Sequence, residues 1–469
     1  RGERLGALPR AVKFSGTTIG ALCQLPIDEL LVFFNTLQLD GLAAQIAPPL
    51  VSEISRRLSF LKEVGLGYLS LGRSAPSLAG GEVQRVRLAG QLGSALQGVI
   101  FVLDEPSIGL HSRDNRKLLG ALEQLRDRGN TVIVVEHDQE TIELADHVVD
   151  MGPGAGIEGG KIVAEGTAKE IMAVEASMTG AYLSGRKQVL RPQGRGPGWE
   201  KSVKLKGVTH NNLADVDVEI PLERLVAVSG VSGSGKSSLI SQVLHPALLR
   251  KSGTGKKPVG AHADIMGHEF IDKILSVDQT PIGKSTRSNP ATYTKLFSLI
   301  RELFARLPEA QSRGYKSSRF SFNVDGGRCI ECRGAGVKSV DMQFLAPVEV
   351  TCEACGGQRY NRETLEIRFK GKSISEVLDL TVGEALGIFS TVPRIDRTLK
   401  TLDRLGLSYL KLGQPSTTLS GGEGQRLKLA NELQKKSTGR TLYLLDEPTT
   451  GLHFDDVRVL IDALDELVS

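Results

Sequence analysis

The chain has 469 residues, and its 40% hydrophobic and 24% charged content is typical of a folded globular protein with roughly two to four domains. The net charge of +4 is too small to indicate nucleic-acid binding by itself, so any such contact must come from local clusters. The longest apolar runs have only strand length, and no secretory signal opens the chain. These features argue against a membrane span or export and predict a cytoplasmic protein.

Three sequence blocks occur twice in the same order, which predicts two related domains. The pairs are Gly65–Gly72 with Gly406–Gly413, Leu78–Arg85 with Leu419–Arg426, and Leu103–His111 with Leu445–His453. By comparison of the two copies, the first starts just after a lost CxxC pair and the second stops before an equivalent of His137. We therefore expect a fragment, or a truncated product, of a longer protein.

The predicted fold class is α/β, with two related halves, inserted helical domains and a cysteine-rich metal module. The expected order is a first helical domain, the C-terminal half of the first repeat, a Gly/Pro-rich linker, the start of the second repeat, an insertion with the second helical domain, and the end of that second repeat. Their bounds are 1–96, 97–185, 186–200, 201–250, 251–436 (with the metal module at about 325–362) and 437–469.

A phosphate loop follows the apolar segment Leu225–Ser229, which is predicted to be a strand. The sequence GVSGSGKS at 230–237 fits GxxxxGK[ST], in which glycines allow backbone N–H groups to surround a phosphate. Lys236 is expected to reach the β- and γ-phosphates, and the Ser237 hydroxyl to bind Mg²⁺. The predicted nucleotide-binding residues here are Gly230, Ser232, Gly233, Ser234, Gly235, Lys236, Ser237 and Ser238.

Acidic pairs end two predicted strands, Val99–Leu103 and Thr441–Leu445. In each pair the aspartate (Asp104 or Asp446) is placed to hold Mg²⁺ and the glutamate (Glu105 or Glu447) to polarise the attacking water. An isolated Asp-Glu pair would more simply be a helix N-cap. Its position after an LSGGE-type block favours the catalytic interpretation.

The order of phosphate loop, LSGGxxQR block and Asp-Glu strand resembles that of ABC ATPases. The resemblance implies that the two repeated halves are nucleotide-binding domains and that the inserted helical domains are signature domains. The resemblance implies that each nucleotide lies between one phosphate loop and the signature of the other copy. It adds His137 as a switch histidine, Gln279 as a γ-phosphate sensor, and signature contacts from Gly80, Gly81, Ser420, Gly421 and Gly422. Ala79 replaces the signature serine in the first copy, and neither composite site is complete in this chain.

Four of the five cysteines form a CxxC–x19–CxxC pattern made of Cys329, Cys332, Cys352 and Cys355. Four thiolates at this spacing predict a tetrahedral Zn²⁺ site without an open catalytic position. A thioredoxin-like redox motif needs only one such pair. Cys23 is interpreted as a buried apolar thiol.

An ABC ATPase with a four-cysteine module between its phosphate loop and signature resembles the UvrA family of bacterial nucleotide excision repair. Long stretches resemble that family, namely DQTPIG, RSNPATY, GYK, RFSFNV and RYNRETL, which begin at residues 278, 287, 314, 319 and 359. Lys284-Ser285-Thr286 departs from the family's usual Arg-Thr-Pro. The resemblance implies ATP, Mg²⁺ and Zn²⁺ as cofactors, and lesion-bearing duplex DNA, UvrB and a homodimer of the full-length protein as partners.

Clustered basic, amide and hydroxyl groups fit contacts to a DNA backbone, which position a duplex without reading its bases. The candidates are Arg287, Ser288, Asn289, Tyr293, Lys316 and Arg319. A solvated charged face is the simpler explanation without the family resemblance. The resemblance also implies that Arg313, Lys316 and Arg319 lie near a UvrB surface.

Three alternative functions compete with this interpretation, and the sequence argues against the first of them. A transporter-type ATPase would need a membrane partner and would lack the two CxxC pairs. A UvrA-like protein could instead protect a cell from a DNA-damaging drug. An inactive remnant would explain both incomplete copies and Ala79.

Overall fold

The computed structural model describes the whole chain except residues 1–4, 76–77, 79, 93–96, 111, 155, 157–158, 191–197, 232, 279, 281, 284, 286, 343–344, 436–438 and 469. The chain divides into two compact units. The first comprises Arg1–Ala145, Thr209–Ala214 and Ala227–Leu239, and the second comprises Asp146–Val208, Asp215–Val226 and Ile240–Ser469. The phosphate loop thus groups with the N-terminal part of the chain, whereas the sequence boundaries join it to residues 201–250.

The first unit contains seven helices and four strands among its described residues. In chain order they are α1 (Ala7–Ala11), β1 (Lys13–Phe14), β2 (Thr17–Thr18), α2 (Ile19–Gln24), α3 (Ile27–Asn35), α4 (Gly41–Glu63), α5 (Gly80–Leu92), β3 (Ile100–Asp104), α6 (Ser112–Asp127), β4 (Thr131–Val135) and α7 (Gln139–Leu144).

Strands β3 and β4 form a parallel pair, and their carboxyl ends carry Asp104 and Val135 side by side. Phe101 and Leu103 point into the core of the unit, where they join Leu118 and Leu125 of α6. The parallel pairing with an intervening helix confirms the predicted α/β character, because such a crossover buries one face of the strands.

The second unit holds the remaining elements. They are β5 (Val148–Gly152), β6 (Lys161–Gly166), α8 (Ala168–Ala173), α9 (Met178–Leu183), β7 (Ser202–Val208), β8 (Val216–Pro221), α10 (His245–Lys251), β9 (Asp264–Met266), β10 (Lys273–Val277), α11 (Pro290–Tyr293), α12 (Leu296–Ala305), α13 (Pro308–Ser312), β11 (Val337–Met342), β12 (Leu345–Thr351), α14 (Arg362–Leu365), β13 (Arg368–Phe369), β14 (Lys372–Ser373), α15 (Ile374–Asp379), α16 (Val382–Phe389), α17 (Pro393–Arg404), α18 (Gly421–Leu433), β15 (Thr441–Leu445) and α19 (Phe454–Val468).

The sheets of the second unit are small. Strands β8, β7 and β9 form an antiparallel sheet in that order, and β10 pairs with β15 in parallel. The pairs β5–β6, β11–β12 and β13–β14 are antiparallel. The β10–β15 pair sets the Asp446-Glu447 end beside Asp278, since the register joins Val277 to Leu445.

The core of the second unit is rich in aromatic residues. Phe304, Phe320, Phe322 and Phe389 are fully buried, and Tyr360 donates its hydroxyl hydrogen to the Phe320 carbonyl at 2.9 Å. A buried phenol hydroxyl needs such a partner. This core therefore fixes the chain on both sides of the cysteine-rich hairpin.

The predicted strand Leu225–Ser229 is wrong. These residues have no regular structure, and Leu225, Val226 and Val228 are exposed by 52%, 39% and 45%. A strand exists only where its backbone finds a pairing partner, whatever its side-chain propensity. A helix follows the phosphate loop: helical backbone begins at Lys236, passes through a π-helical segment (Ser238–Leu244) and continues as α10.

Among the described residues, no helix is both long and apolar enough to cross a membrane.

Candidate nucleotide, metal and DNA sites

Each of the two signature blocks contains the start of a helix. Helix α5 begins at Gly80 and α18 at Gly421, so both glycine pairs lie in the first turn, where backbone N–H groups point outward. In α18 the N-cap Ser420 accepts a hydrogen bond from the Glu423 amide at 3.2 Å, and Glu423 accepts one from the Ser420 amide at 2.8 Å. Ala79 lies outside the described residues.

Each signature helix is hydrogen-bonded to the acidic strand end of its own copy. The Gln84 side chain donates to the Asp104 carbonyl, and the Gln425 side chain donates to the Asp446 carbonyl at 2.8 Å. Neither glutamine was predicted from the sequence to be a site residue. Their recurrence in both LSGGxxQR blocks is the signal that could have found them.

Both glutamates of the Asp-Glu pairs have a left-handed backbone, with φ of 45° at Glu105 and at Glu447. This conformation is strained for a residue with a side chain and is found mostly where function or packing demands it. His137 lies near the first glutamate, with 3.5 Å between its Nε2 and Glu105 Oε1. The carboxyl ends of β3 and β4 thus bring Asp104, Glu105 and His137 together.

Two sets of hydrogen bonds stabilise the phosphate loop, one from Lys236 and one from a pair of asparagines. The Lys236 ammonium donates to the carbonyls of Gly230 and Val231 at 2.7 and 3.1 Å. Asn212 donates to the Gly233 carbonyl at 3.0 Å, and Asn211 donates to the Ser238 hydroxyl at 3.0 Å.

The two asparagines belong to a turn before β8, and neither was predicted from the sequence to be a site residue. Gly230, Gly233 and Gly235 have φ of 150°, 77° and 104°, which side-chain-bearing residues rarely adopt. Ser232 lies outside the described residues, while Ser234 and Ser237 lie in the described part of the loop.

Gln279 also lies outside the described residues, but its neighbour Asp278 is tied to the second signature helix. Lys428 of α18 donates to the Asp278 carbonyl at 2.8 Å and to its carboxylate at 2.6 Å. Burial opposes the charged carboxylate, but the hydrogen bonds from Lys428 and Thr280 prevail and lower the pKa of Asp278. Asp278, which precedes Gln279 in the chain, is therefore anchored to α18.

A second anchor joins the end of the first nucleotide-binding half to the residues that follow Glu447. Thr179 of α9 contacts His453 Nε2 at 3.2 Å, and the Tyr182 hydroxyl donates to Asp455 at 2.9 Å. Thr179 also donates to the buried Asp150 at 2.7 Å. These contacts fix the turn that leads from the acidic pair into α19.

The four cysteines of the two CxxC pairs form one buried cluster. Strands β11 and β12 run antiparallel between the pairs, with Val337 opposite Thr351, so the open end of the hairpin brings both pairs together. The four Sγ atoms lie within 4.8 Å of one another and could hold a metal ion. The Cys332 and Cys355 sulfurs are 3.7 Å apart, close to the roughly 3.8 Å edge of a tetrahedron with Zn–S bonds of about 2.3 Å.

The predicted DNA-contact residues differ in accessibility. Lys316 is exposed, and Arg287, Ser288 and Tyr293 are half-buried. Arg319 lies over the Tyr315 ring at 4.5 Å and donates to Glu363 at 2.6 Å.

Asn289 is fully buried. It caps the short helix α11 by accepting from the Thr292 amide at 2.9 Å. Burial prevents this side chain from touching a duplex, so its place among the DNA contacts is corrected to a structural one. The sequence could not separate these roles, since Asn before Pro fits both a cap and a backbone contact.

Gly81 offers a test of how tightly the start of α5 packs against the chain at Ile108. A β-carbon on Gly81 would lie 2.2 Å from the Ile108 carbonyl oxygen, whereas one on Gly90 of the same helix would have open space around it. We expect Gly81→Ala to destabilise the chain by about 1–3 kcal/mol, because the backbone must shift. Gly90→Ala should be neutral or stabilising by up to about 1 kcal/mol. Urea unfolding measures both, and equal stabilities would contradict the packing.

The chain is similar over its whole length to proteins called UvrABC system protein A. It is 53% identical to that of Bacillus subtilis over 468 residues, which are 100% of this chain and 49% of the relative. It is 55% identical to that of Thermus thermophilus over 460 residues, 98% of this chain and 48% of the relative. No protein-family model matches.

A solved structure supports the same relationship. The crystal structure of UvrA2 from Deinococcus radiodurans matches with a TM-score of 0.91 and 46% identity, covering 99% of this chain and 58% of that one. The chain spans about half the length of the curated relatives it matches.

The paired signature helices, the acidic strand ends and this structural match define a segment of an ABC-type ATPase fold. Within that class the four-cysteine cluster and the identity over the whole chain are specific. The chain belongs to the UvrA family.

Proposed function

We propose that this chain is the ATP-using part of a protein that recognises damaged duplex DNA in nucleotide excision repair and passes it to UvrB. The observation that carries the proposal is the 53% identity over the whole chain to a protein called UvrABC system protein A. A homodimer of the full-length protein and a cytoplasmic location belong to the same proposal.

ATP would be held through its phosphates. Lys236 supplies positive charge to the β- and γ-phosphates, and the Ser237 hydroxyl is a ligand for Mg²⁺. Gly80 and Gly81 offer N–H groups at the start of α5, an anion-binding position, and Gly421 and Gly422 do the same in α18. Gln279 is the proposed γ-phosphate sensor.

The acidic strand ends would carry the hydrolytic chemistry. The aspartates Asp104 and Asp446 are proposed Mg²⁺ ligands, and Glu105 and Glu447 are proposed to orient the attacking water. His137, whose Nε2 lies 3.5 Å from Glu105 Oε1, is proposed to hold the same water or the γ-phosphate. The hydrogen bonds from Gln84 and Gln425 set the direction of each acidic pair relative to its signature helix.

The four-cysteine cluster is proposed to hold one structural zinc ion. The four thiolates match the soft ligands and tetrahedral geometry that zinc prefers, and they leave no open position for catalysis. Zinc would supply folding energy to the hairpin β11–β12, which is held together mainly by backbone hydrogen bonds.

DNA contact is proposed for Arg287 and Lys316, with Ser288 and Tyr293 as neutral neighbours. Phosphate contacts position a duplex without reading its sequence, and the deformability of a lesion then supplies the signal. The ion pair between Arg319 and Glu363 supports a different role for this arginine. It would hold Tyr315, and through it the neighbouring Lys316, in place.

We expect Arg287→Ala and Lys316→Ala each to weaken duplex binding by a similar factor for all sequences. Each loss should lower the salt slope of the affinity by about one unit, because one fewer counterion is released. Lys400→Ala is a matched control, since Lys400 is paired with Asp396 on α17. The measurement is a titration of intact and lesion-bearing duplexes at several salt concentrations.

Three results would decide against this assignment. Unchanged affinity and slope in the Arg287→Ala/Lys316→Ala double variant would remove the cluster from the DNA site. Retained DNA binding with reduced UvrB binding would assign the surface to the protein partner instead. An equal decrease in the salt slope of the affinity in Lys400→Ala would mean that the effect reflects net charge alone.

A further inference from the structure

In the first unit, one tyrosine lies between the phosphate loop and the first signature helix. The Tyr68 ring lies against Gly233, where a β-carbon would be 3.1 Å from the ring atom Cδ2. The hydroxyl of the same side chain donates to Glu82 Oε1 at 2.6 Å. A single rigid side chain therefore touches both elements.

Glu82 is the third residue of α5 and is 8% exposed. Its other carboxylate oxygen lies 3.5 Å from the Arg73 guanidinium. A carboxylate in this position of a helix is favoured by the helix dipole, and its orientation is set by the groups bound to it. Tyr68 thus helps to fix the first turn of α5, where Gly80 and Gly81 offer their N–H groups.

Arg85 completes the cluster one helical turn further on. It is 2% exposed, and burial lowers its pKa although Tyr68 and Glu82 favour the charged form. Burial and the bond to Glu82 raise the pKa of Tyr68, so the phenol stays protonated and continues to donate. A charge-assisted hydrogen bond in buried surroundings is stronger than one between neutral groups.

The second copy has the same cluster with a different neighbour. Tyr409 donates to Glu423 at 2.8 Å, and Arg426 lies 3.4 Å from the Tyr409 hydroxyl. The glycine beside Tyr409 is Gly156, whose β-carbon would lie 2.7 Å from Tyr409 Cβ. The chain has one phosphate loop, and it is the first tyrosine that touches it.

We propose that Tyr68 is a positioning residue that transmits ATP occupancy of the phosphate loop to the first signature helix. When the loop moves at Gly233, the ring in contact with it moves too. The hydrogen bond from the hydroxyl then passes this displacement to Glu82 at the start of α5. Tyr409 makes the same kind of bond to Glu423 of the second signature helix, but its neighbour is Gly156, so its role is to stabilise the packing of the second unit. The inference rests on the proposed nucleotide site.

The test is hydrogen exchange of α5 and α18 in the whole chain, with and without saturating Mg²⁺-ATP. In the unmodified chain, ATP should slow exchange in α5. Tyr68→Phe keeps the ring but removes the hydroxyl, so ATP should still bind within about threefold of the original affinity. The ATP-induced protection of α5 should fall by about tenfold, as expected for loss of a hydrogen bond to a charged group.

Tyr409→Phe is the matched control, since it loses the same kind of bond in α18 and should retain the ATP effect in α5. Glu82→Gln makes the bond a neutral one, roughly half as strong, and should lower the protection in the same direction. Equal ATP-induced protection of α5 in Tyr68→Phe and Tyr409→Phe would overturn the inference. Failure of the unmodified chain to bind ATP would instead overturn the proposed nucleotide site.

Discussion

Replacing Cys329 and Cys352 together by alanine is expected to reduce bound zinc from about one ion per chain to none. Two ligands remain, and two thiolates do not hold zinc in a closed tetrahedral site. The apparent binding energy of structural zinc, about 10–16 kcal/mol at neutral pH, would no longer support the hairpin. Metal analysis by mass spectrometry and thermal unfolding of the purified chain measure both effects.

Cys23→Ala is the control for the cysteine variants. Cys23 lies in α2 of the first unit, is only half-buried rather than buried as the sequence predicted, and is not part of the cluster. This variant should keep its zinc and the unfolding temperature of the second unit. Zinc retained by the Cys329→Ala/Cys352→Ala variant, or absent from the unmodified chain, would disprove the metal assignment.

Lys236→Ala is expected to weaken ATP binding by roughly tenfold to a hundredfold or more. The variant loses a charged hydrogen bond to the phosphates, worth about 1.5–3 kcal/mol. It also loses the bonds to the Gly230 and Val231 carbonyls, which hold the loop curved. Isothermal titration with Mg²⁺-ATP provides the dissociation constant directly.

The matched control is Lys251→Ala, at the exposed end of α10. Because Lys251 lies on the same continuous helical segment, it reports any general effect of removing a lysine there. Lys236→Arg keeps the charge but replaces a compact ammonium by a planar guanidinium, so affinity should recover only in part. Unchanged affinity in Lys236→Ala would mean that this loop does not bind the nucleotide phosphates.

In the proposed function, contacts at the two acidic strand ends would link ATP binding to hydrolysis. Gln84 and Gln425 join each signature helix to the aspartate of its own copy, while Tyr68 joins one signature helix to the phosphate loop. Movement of a signature helix would therefore change the direction of the adjacent glutamate. The left-handed backbone at Glu105 and Glu447 leaves little room for that glutamate to adjust independently.

Features encoded by short spacing could be predicted from the sequence alone. The CxxC pairs, the glycines of the phosphate loop and the starts of α5 and α18 follow from residues a few positions apart, whose geometry the local backbone determines. Strands β3 and β15 were also predictable, because an apolar run that ends in an acidic pair has a clear length and direction. Because each block occurs twice in the chain, two occurrences support the prediction made from it.

Contacts between distant residues were decided by the tertiary structure. Nothing in the sequence around Tyr68 indicates that its ring lies against Gly233, since that contact depends on how α5 and the loop pack. The apolar segment Leu225–Ser229 has strand propensity but lacks a pairing partner, and Asn289 has a polar side chain but lies in the core. Strand pairing and burial are settled by which surfaces meet, and a pattern of neighbouring residues carries little information about that choice.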